Sequence, residues 1–176
     1  ALSQVPAVEL RVDEARQEVQ TYQQHGDGRS SVGQRLAHWG LAWQMGWDRP
    51  LTGWGRAGYA EEKARRVAAG QAHPVVLEFG HAHNEILDLF AKRGLPGVLL
   101  LLAFYGIPLA MFWPTAQRIR DAQGKMDRES LSLCLVGVLL PLSYIGFGLT
   151  QVFLAHNSGN MFYLFMCPLV LAALHQ

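Results

Sequence analysis

The residues whose types and spacing could do chemistry are gathered in one short run, Gly80-His81-Ala82-His83-Asn84-Glu85, followed by Asp88. Histidine changes charge near neutral pH and suits a general base. If His83 or Asn84 caps a following helix, the positive end of that helix disfavours imidazolium and leaves the ring neutral, ready to accept a proton. The plainer reading is that the two residues only cap the helix. His81 and His83 are two apart, so they do not share a helix face, and no Glu or Cys completes a familiar ligand spacing. No metal is expected there. A second group is Arg29 and Arg35, which flank a Ser-rich helix start. A guanidinium binds phosphate oxygens as a fork, and a helix N-terminus at Ser31 would add backbone donors. Arg11, Arg16, Arg56, Arg65 and Arg66 have acidic neighbours in Asp13, Glu14, Glu18, Glu61 and Glu62 and read as solvated helix faces.

The elements that position these groups follow from the charge distribution. Of 176 residues, half are hydrophobic and 16% charged, with 15 basic against 14 acidic side chains and a net charge of +1, which carries no signature of a nucleic-acid partner, and none is expected. The charges are not spread evenly. Residues 1–93 hold 22 of the 29, and 130–176 hold none in 47 residues, which a water-soluble surface cannot sustain. Three stretches are expected to span a membrane, at about 95–113, 131–149 and 160–175, the last short for the purpose. Four basic residues between the first two, Arg118, Arg120, Lys125 and Arg128, favour the cytoplasmic side for that loop, so residues 1–94 are expected on the outer face together with His156. Cys134 and Cys167 lie in apolar stretches and read as small hydrophobes. The chain opens on Ala1 with neither a signal peptide nor a first hydrophobic segment, and is expected to be the C-terminal portion of a longer membrane protein.

The outer segment reads as helical. Glu9 to Gln24 is rich in helix formers and stops at Gly26-Asp27-Gly28. Ser31 with Gln34 suggests a capping box opening a helix on which Trp39, Trp43 and Trp47 share a face, either toward the membrane interface or packed on neighbouring helices. Asp48-Arg49-Pro50 ends it. Tyr59 to Ala69 is a short charged helix, and a helix from His83 or Asn84 to Arg93 is expected to close on Gly94 as its C-cap, with Asp88 in a structural role.

Two patterns carry a resemblance. His83-Asn84, nine residues, Gly94, two residues and Gly97 resembles the motif of the O-antigen ligase and polymerase superfamily. Upstream, Gln34-Arg35-Leu36 through Trp39, then Pro50-Leu51-Thr52-Gly53-Trp54-Gly55, is similar to that family's Arg, aromatic and Pro-x-x-Gly-x-Gly segment. The resemblance covers about 29–176 and implies an all-α, polytopic integral membrane glycosyltransferase of the GT-C-like kind in the bacterial inner membrane, with a long helical periplasmic loop. It further implies transfer of a glycan from undecaprenyl diphosphate to a sugar hydroxyl of lipid A core, with inversion and with neither metal nor other cofactor. His83 then corresponds to the catalytic base and Arg35 to the loop arginine on the diphosphate. The family's second arginine lies before this loop, so Arg29 or Arg11 takes that part or it falls outside the chain. Asn84, Glu85 and His81 are expected to orient the imidazole or bind sugar. A polymerase or a protein O-oligosaccharyltransferase would share the donor chemistry and differ in acceptor. A transporter of lipid-linked sugars would leave the His-Asn pattern unexplained.

Overall fold

The computed structural model describes residues 6–26, 28–121 and 123–174; Asp27, in the expected helix stop, and His175, at the end of the expected third span, lie outside them. All named elements are helical: α1 (Pro6–His25), α2 (Ser31–Asp48), α3 (Gly55–Ala68), a 3-10 turn at Pro74–Leu77, α4 (Glu85–Phe112), α5 (Arg128–Gly148), a second 3-10 turn at Phe153–Ala155, and α6 (Asn157–Leu174). The only strand-like feature among the described residues is an isolated bridge between Arg120 and Met126, in the basic loop.

Helices α4, α5 and α6 are long and apolar enough to cross a membrane, so the chain is a polytopic membrane protein. Prolines inside them, Pro108, Pro141 and Pro168, are of the kind membrane helices accommodate. Gly137 lets α5 close on the Phe112 ring of α4, a small-residue contact of the type that drives helix association in lipid. Before the spans, α2, α3 and the first turns of α4 share a core of Leu41, Met45, Tyr59, Val76, Ala82 and Ala91.

Local chemistry explains the boundaries and corrects several of them; the charged helix expected from Tyr59 begins at Gly55. The cap of α2 is Ser30, whose hydroxyl accepts from the Gly33 amide at 3.0 Å, so the helix starts at Ser31 and the third helical position is glycine. There is no capping box with Gln34, whose amide instead donates to Glu78 at 2.8 Å. The Trp stripe also divides. Trp43 and Trp47 are exposed and pack edge to face on each other and against Phe90, whereas Trp39 is half-buried. The arginine expectation holds for Arg11 with Glu14 and Arg16 with Asp13, on exposed helix faces, and for exposed Arg65, although its partner Glu62 is buried. Arg66 is different: its side chain is largely buried between Glu62 and Asp48, tying α3 to the end of α2.

Candidate functional site

Gly94 does not end a helix; it breaks one. At φ 68°, ψ −164° it takes a conformation open to glycine, and the chain resumes as the apolar part of α4. The freed backbone groups are met by the loop after α2. Leu95 N–H donates to the Pro50 carbonyl at 2.6 Å, Pro96 has no N–H to satisfy, and the Ala91 carbonyl accepts from Trp54 N–H at 3.0 Å. The fit is backbone on backbone. A Cβ on Gly94 would lie 2.5 Å from the Pro50 carbonyl oxygen, a Cβ on Gly53 would strike the Lys92–Arg93 peptide, and one on Gly97 would strike Arg93. Gly53 and Gly94, one from each sequence pattern, are therefore the two halves of one joint, while Gly97 serves the packing within α4. The joint holds the turn after α2 against α4 about three helical turns beyond His83.

The histidine loop, 78–84, is anchored from both sides. Buried Lys63 of α3 donates to the Val76 and Phe79 carbonyls, Lys92 of α4 to the Gly80 carbonyl at 2.9 Å, and Asp88 accepts from the Ala82 amide at 2.9 Å and from Lys92 at 2.8 Å. Burial pulls the Lys63 ammonium down to about 8, with repulsion from Lys92 adding to it. Asp88 thus holds the loop that carries both histidines. Sequence reasoning missed Lys63, because it sits within a charged run that reads as a solvated helix face.

His83 itself has φ 52°, the one positive φ outside glycine among the described residues, a conformation costing a bulky side chain about 1–2 kcal/mol. Its amide points toward Nδ1 of His81 at 3.4 Å, and the two rings meet at 4.3 Å between centroids, with Phe79 4.6 Å away on another side. Burial lowers the His83 pKa; Gln151, alongside the ring, and Asp88 work against that, while the positive charge of Arg35 adds to it. His81 is lowered by burial first, then by His83, Lys92 and exposed His156. Both rings are held toward the neutral form a base requires.

The remaining candidates fall into two groups. Arg35, one turn into α2, is the arginine whose charge acts on His83; Arg29 is exposed just ahead of α2. Asn84 and Glu85 have other partners. Asn84 caps α4 by accepting from the Leu87 amide at 3.0 Å and donates to the Leu149 carbonyl at 3.1 Å, while buried Glu85 accepts from the Leu154 amide at 3.0 Å. These two side chains dock the turn between α5 and α6, which carries Gln151 to His83. One further residue is missing from any sequence-derived set: His38 of α2, fully buried, with its ring 5.6 Å from that of His83. Among the described residues no cluster of three or more His, Cys, Asp or Glu could hold a metal ion.

The joint and the loop coincide with the part of the chain that comparison with known proteins picks out: the O-antigen ligase family profile matches residues 5–102, more than half of the chain. The chain belongs to the O-antigen ligase family. Among its relatives is an uncharacterized protein of Haemophilus influenzae, 31% identical over 156 residues, a match covering 89% of this chain and 37% of the relative. The chain thus spans little more than a third of that relative's length.

Proposed function

We propose that this family member is an O-antigen ligase, transferring a glycan from undecaprenyl diphosphate to a sugar hydroxyl of lipid A core, with residues 1–94 on the periplasmic face of the inner membrane and residues 95–176 forming spans. His83 removes the proton of the acceptor hydroxyl. The oxygen attacks the anomeric carbon as the bond to diphosphate breaks, the electron pair leaves with the diphosphate, and the centre inverts. Arg35, with Arg29, offsets the charge on the departing group. Diphosphate leaves readily without a general acid, and neither metal nor cofactor takes part.

The observation that carries this reading is the anchored loop that holds His83 at positive φ with its ring against those of His81 and Phe79. Burial favours the neutral ring and the positive charge of Arg35 on α2 adds to that, so an anion held by Arg35 would act on the same ring. His83 also precedes a membrane-crossing helix, where a lipid-borne diphosphate can reach it. Exposed Trp43 and Trp47, beside Phe90 and just before the Gly94 break, suit the interfacial layer of the same membrane.

The test is in vivo ligation in a strain lacking the gene and complemented with the full-length protein. His83→Ala, accumulating in the membrane at the wild-type level, is expected to abolish glycan-capped lipid A core. Normal ligation by that variant refutes the mechanism. Loss of lengthened lipid-linked glycan, or of glycosylated protein, with ligation intact would identify a polymerase or an oligosaccharyltransferase instead.

A further inference from the structure

His38 lies one helical turn after Arg35, on the side of His83 away from solvent, and the mechanism above gives it no part. It is 0% exposed, and its ring meets that of His83 edge to face at 80°. Among the described residues neither of its nitrogens has a hydrogen-bond partner, although the Val75 carbonyl lies close enough to offset a little of the burial, and Nε2 of His83 is buried and unpartnered as well. A neutral imidazole has one N–H and one lone pair. Leaving such atoms buried and unpaired destabilises the fold, a cost an apolar side chain at position 38 would avoid. Two imidazoles sharing a straight N–H···N bond of about 3 Å have centroids about 5 Å apart, so these rings, at 5.6 Å, stand near the separation that such a bond requires without making it.

We propose that His38 is a positioning residue for His83: as the site closes on its substrate, a nitrogen of His38 accepts the Nε2–H of His83, fixing the tautomer that leaves Nδ1 as the base and steadying the imidazolium as it forms. The proposal rests on His83 being the base. The division of labour is that of any base oriented by a third group, here with a neutral acceptor in place of a carboxylate. The charged and titratable groups around the pair suit a neutral acceptor. Lys63 of α3, His81 and His83 face His38, and Arg35 of α2, Asp88 of α4, His81 and the uncharged Gln151 face His83. No carboxylate figures among the charges acting on His38, and burial with repulsion from Lys63 holds its pKa down at about 4, so it stays neutral while His83 turns over.

The experiment uses the full-length protein in lipid nanodiscs with undecaprenyl-diphosphate-linked glycan and lipid A core, comparing His38→Gln, which keeps an acceptor, with His38→Phe, which fills the space without one. His38→Phe is expected to unfold no earlier than wild type, to lose about 10- to 100-fold in kcat with KM nearly unchanged, and to move the acid limb of its pH profile to lower pH because the imidazolium has lost its acceptor. His38→Gln should restore most of the rate. If His38→Phe does not accumulate, His38→Leu replaces it with the same expectations. Wild-type turnover in the apolar variant, or equal impairment of the apolar and Gln variants, overturns the proposal. His83→Ala in the same assay separates the two claims: an active His83→Ala removes the base, whereas an inactive His83→Ala beside a fully active His38→Phe removes only the role of His38.

Discussion

Replacing Gly94 by alanine tests whether Gly94 and Gly53 serve one joint. Alanine at φ 68° costs about 1–2 kcal/mol in backbone strain. Its Cβ would also lie 2.5 Å from the Pro50 carbonyl oxygen and 2.9 Å from the Leu51 carbonyl carbon, and because both are backbone atoms the loop must retreat. Retreat breaks the Leu95-to-Pro50 hydrogen bond, adding about 1–3 kcal/mol if the amide finds no other acceptor. The sum is about 2–5 kcal/mol, a large part of the stability of an ordinary domain. Gly40→Ala is the matched control, because Gly40 lies on the exposed side of α2 with nothing within 4 Å of a new Cβ; there alanine should stabilise by about 0.5–1 kcal/mol. Unfolding of full-length protein in detergent, followed by tryptophan fluorescence, reads both, and Trp54 in the joint is a local reporter. Equal midpoints for Gly94→Ala and wild type would show that the close approach of the two segments is not what the glycine serves.

Other expectations concern the site. Because burial lowers the His83 pKa, its neutral form persists below the ordinary histidine range, so transfer should be retained as pH falls through 6.5 and decline only further into acid; a limb centred at or above 6.5 in the kcat/KM profile contradicts this. Burial also lowers His38, to about 4 from 6.5, so the unfolded chain binds the extra proton: His38 leaves stability unchanged above pH 6.5 and lowers it as pH falls from there toward 4, a loss that His38→Phe should lessen in acid-unfolding curves. Lys63→Met leaves the Val76 and Phe79 carbonyls without their donor and should cost about 1–3 kcal/mol per carbonyl left buried, with faster hydrogen exchange over residues 78–84. Arg35→Ala should lower transfer at least about tenfold, and Arg35→Lys should not restore it, since a point charge cannot reproduce the two-pronged contact with phosphate; full rescue by lysine would reduce the role of Arg35 to charge alone.

How much of this was legible in the sequence depends on the range of the interaction. The apolar blocks became α4, α5 and α6, and the cap of α4 fell on Asn84, because hydropathy and capping act within a few residues. Gly94 was legible as a glycine needing an unusual φ, but whether it ended or kinked a helix depended on Pro50, some forty positions away, supplying an acceptor to Leu95. His38 gave no signal: it follows Arg35 by three and lies beside a Trp stripe that reads as an interfacial or a packing face, and only the fold sets it against a residue 45 positions later. Asn84 and Glu85 look like substrate contacts beside a histidine, but their partners, Leu149 and Leu154, come from a turn more than sixty residues downstream. The cap of α2 moved from Ser31 to Ser30 because adjacent serines are equivalent in pattern, and only one hydroxyl reaches the Gly33 amide.

The most direct test of the central claim is a reconstituted transfer reaction. Purified full-length protein in nanodiscs, given undecaprenyl-diphosphate-linked glycan and lipid A core in the presence of EDTA, is predicted to form glycan-capped lipid A core with an inverted linkage and to release undecaprenyl diphosphate, while His83→Ala with a wild-type unfolding midpoint forms none. Capped product from His83→Ala at the wild-type rate would contradict the account.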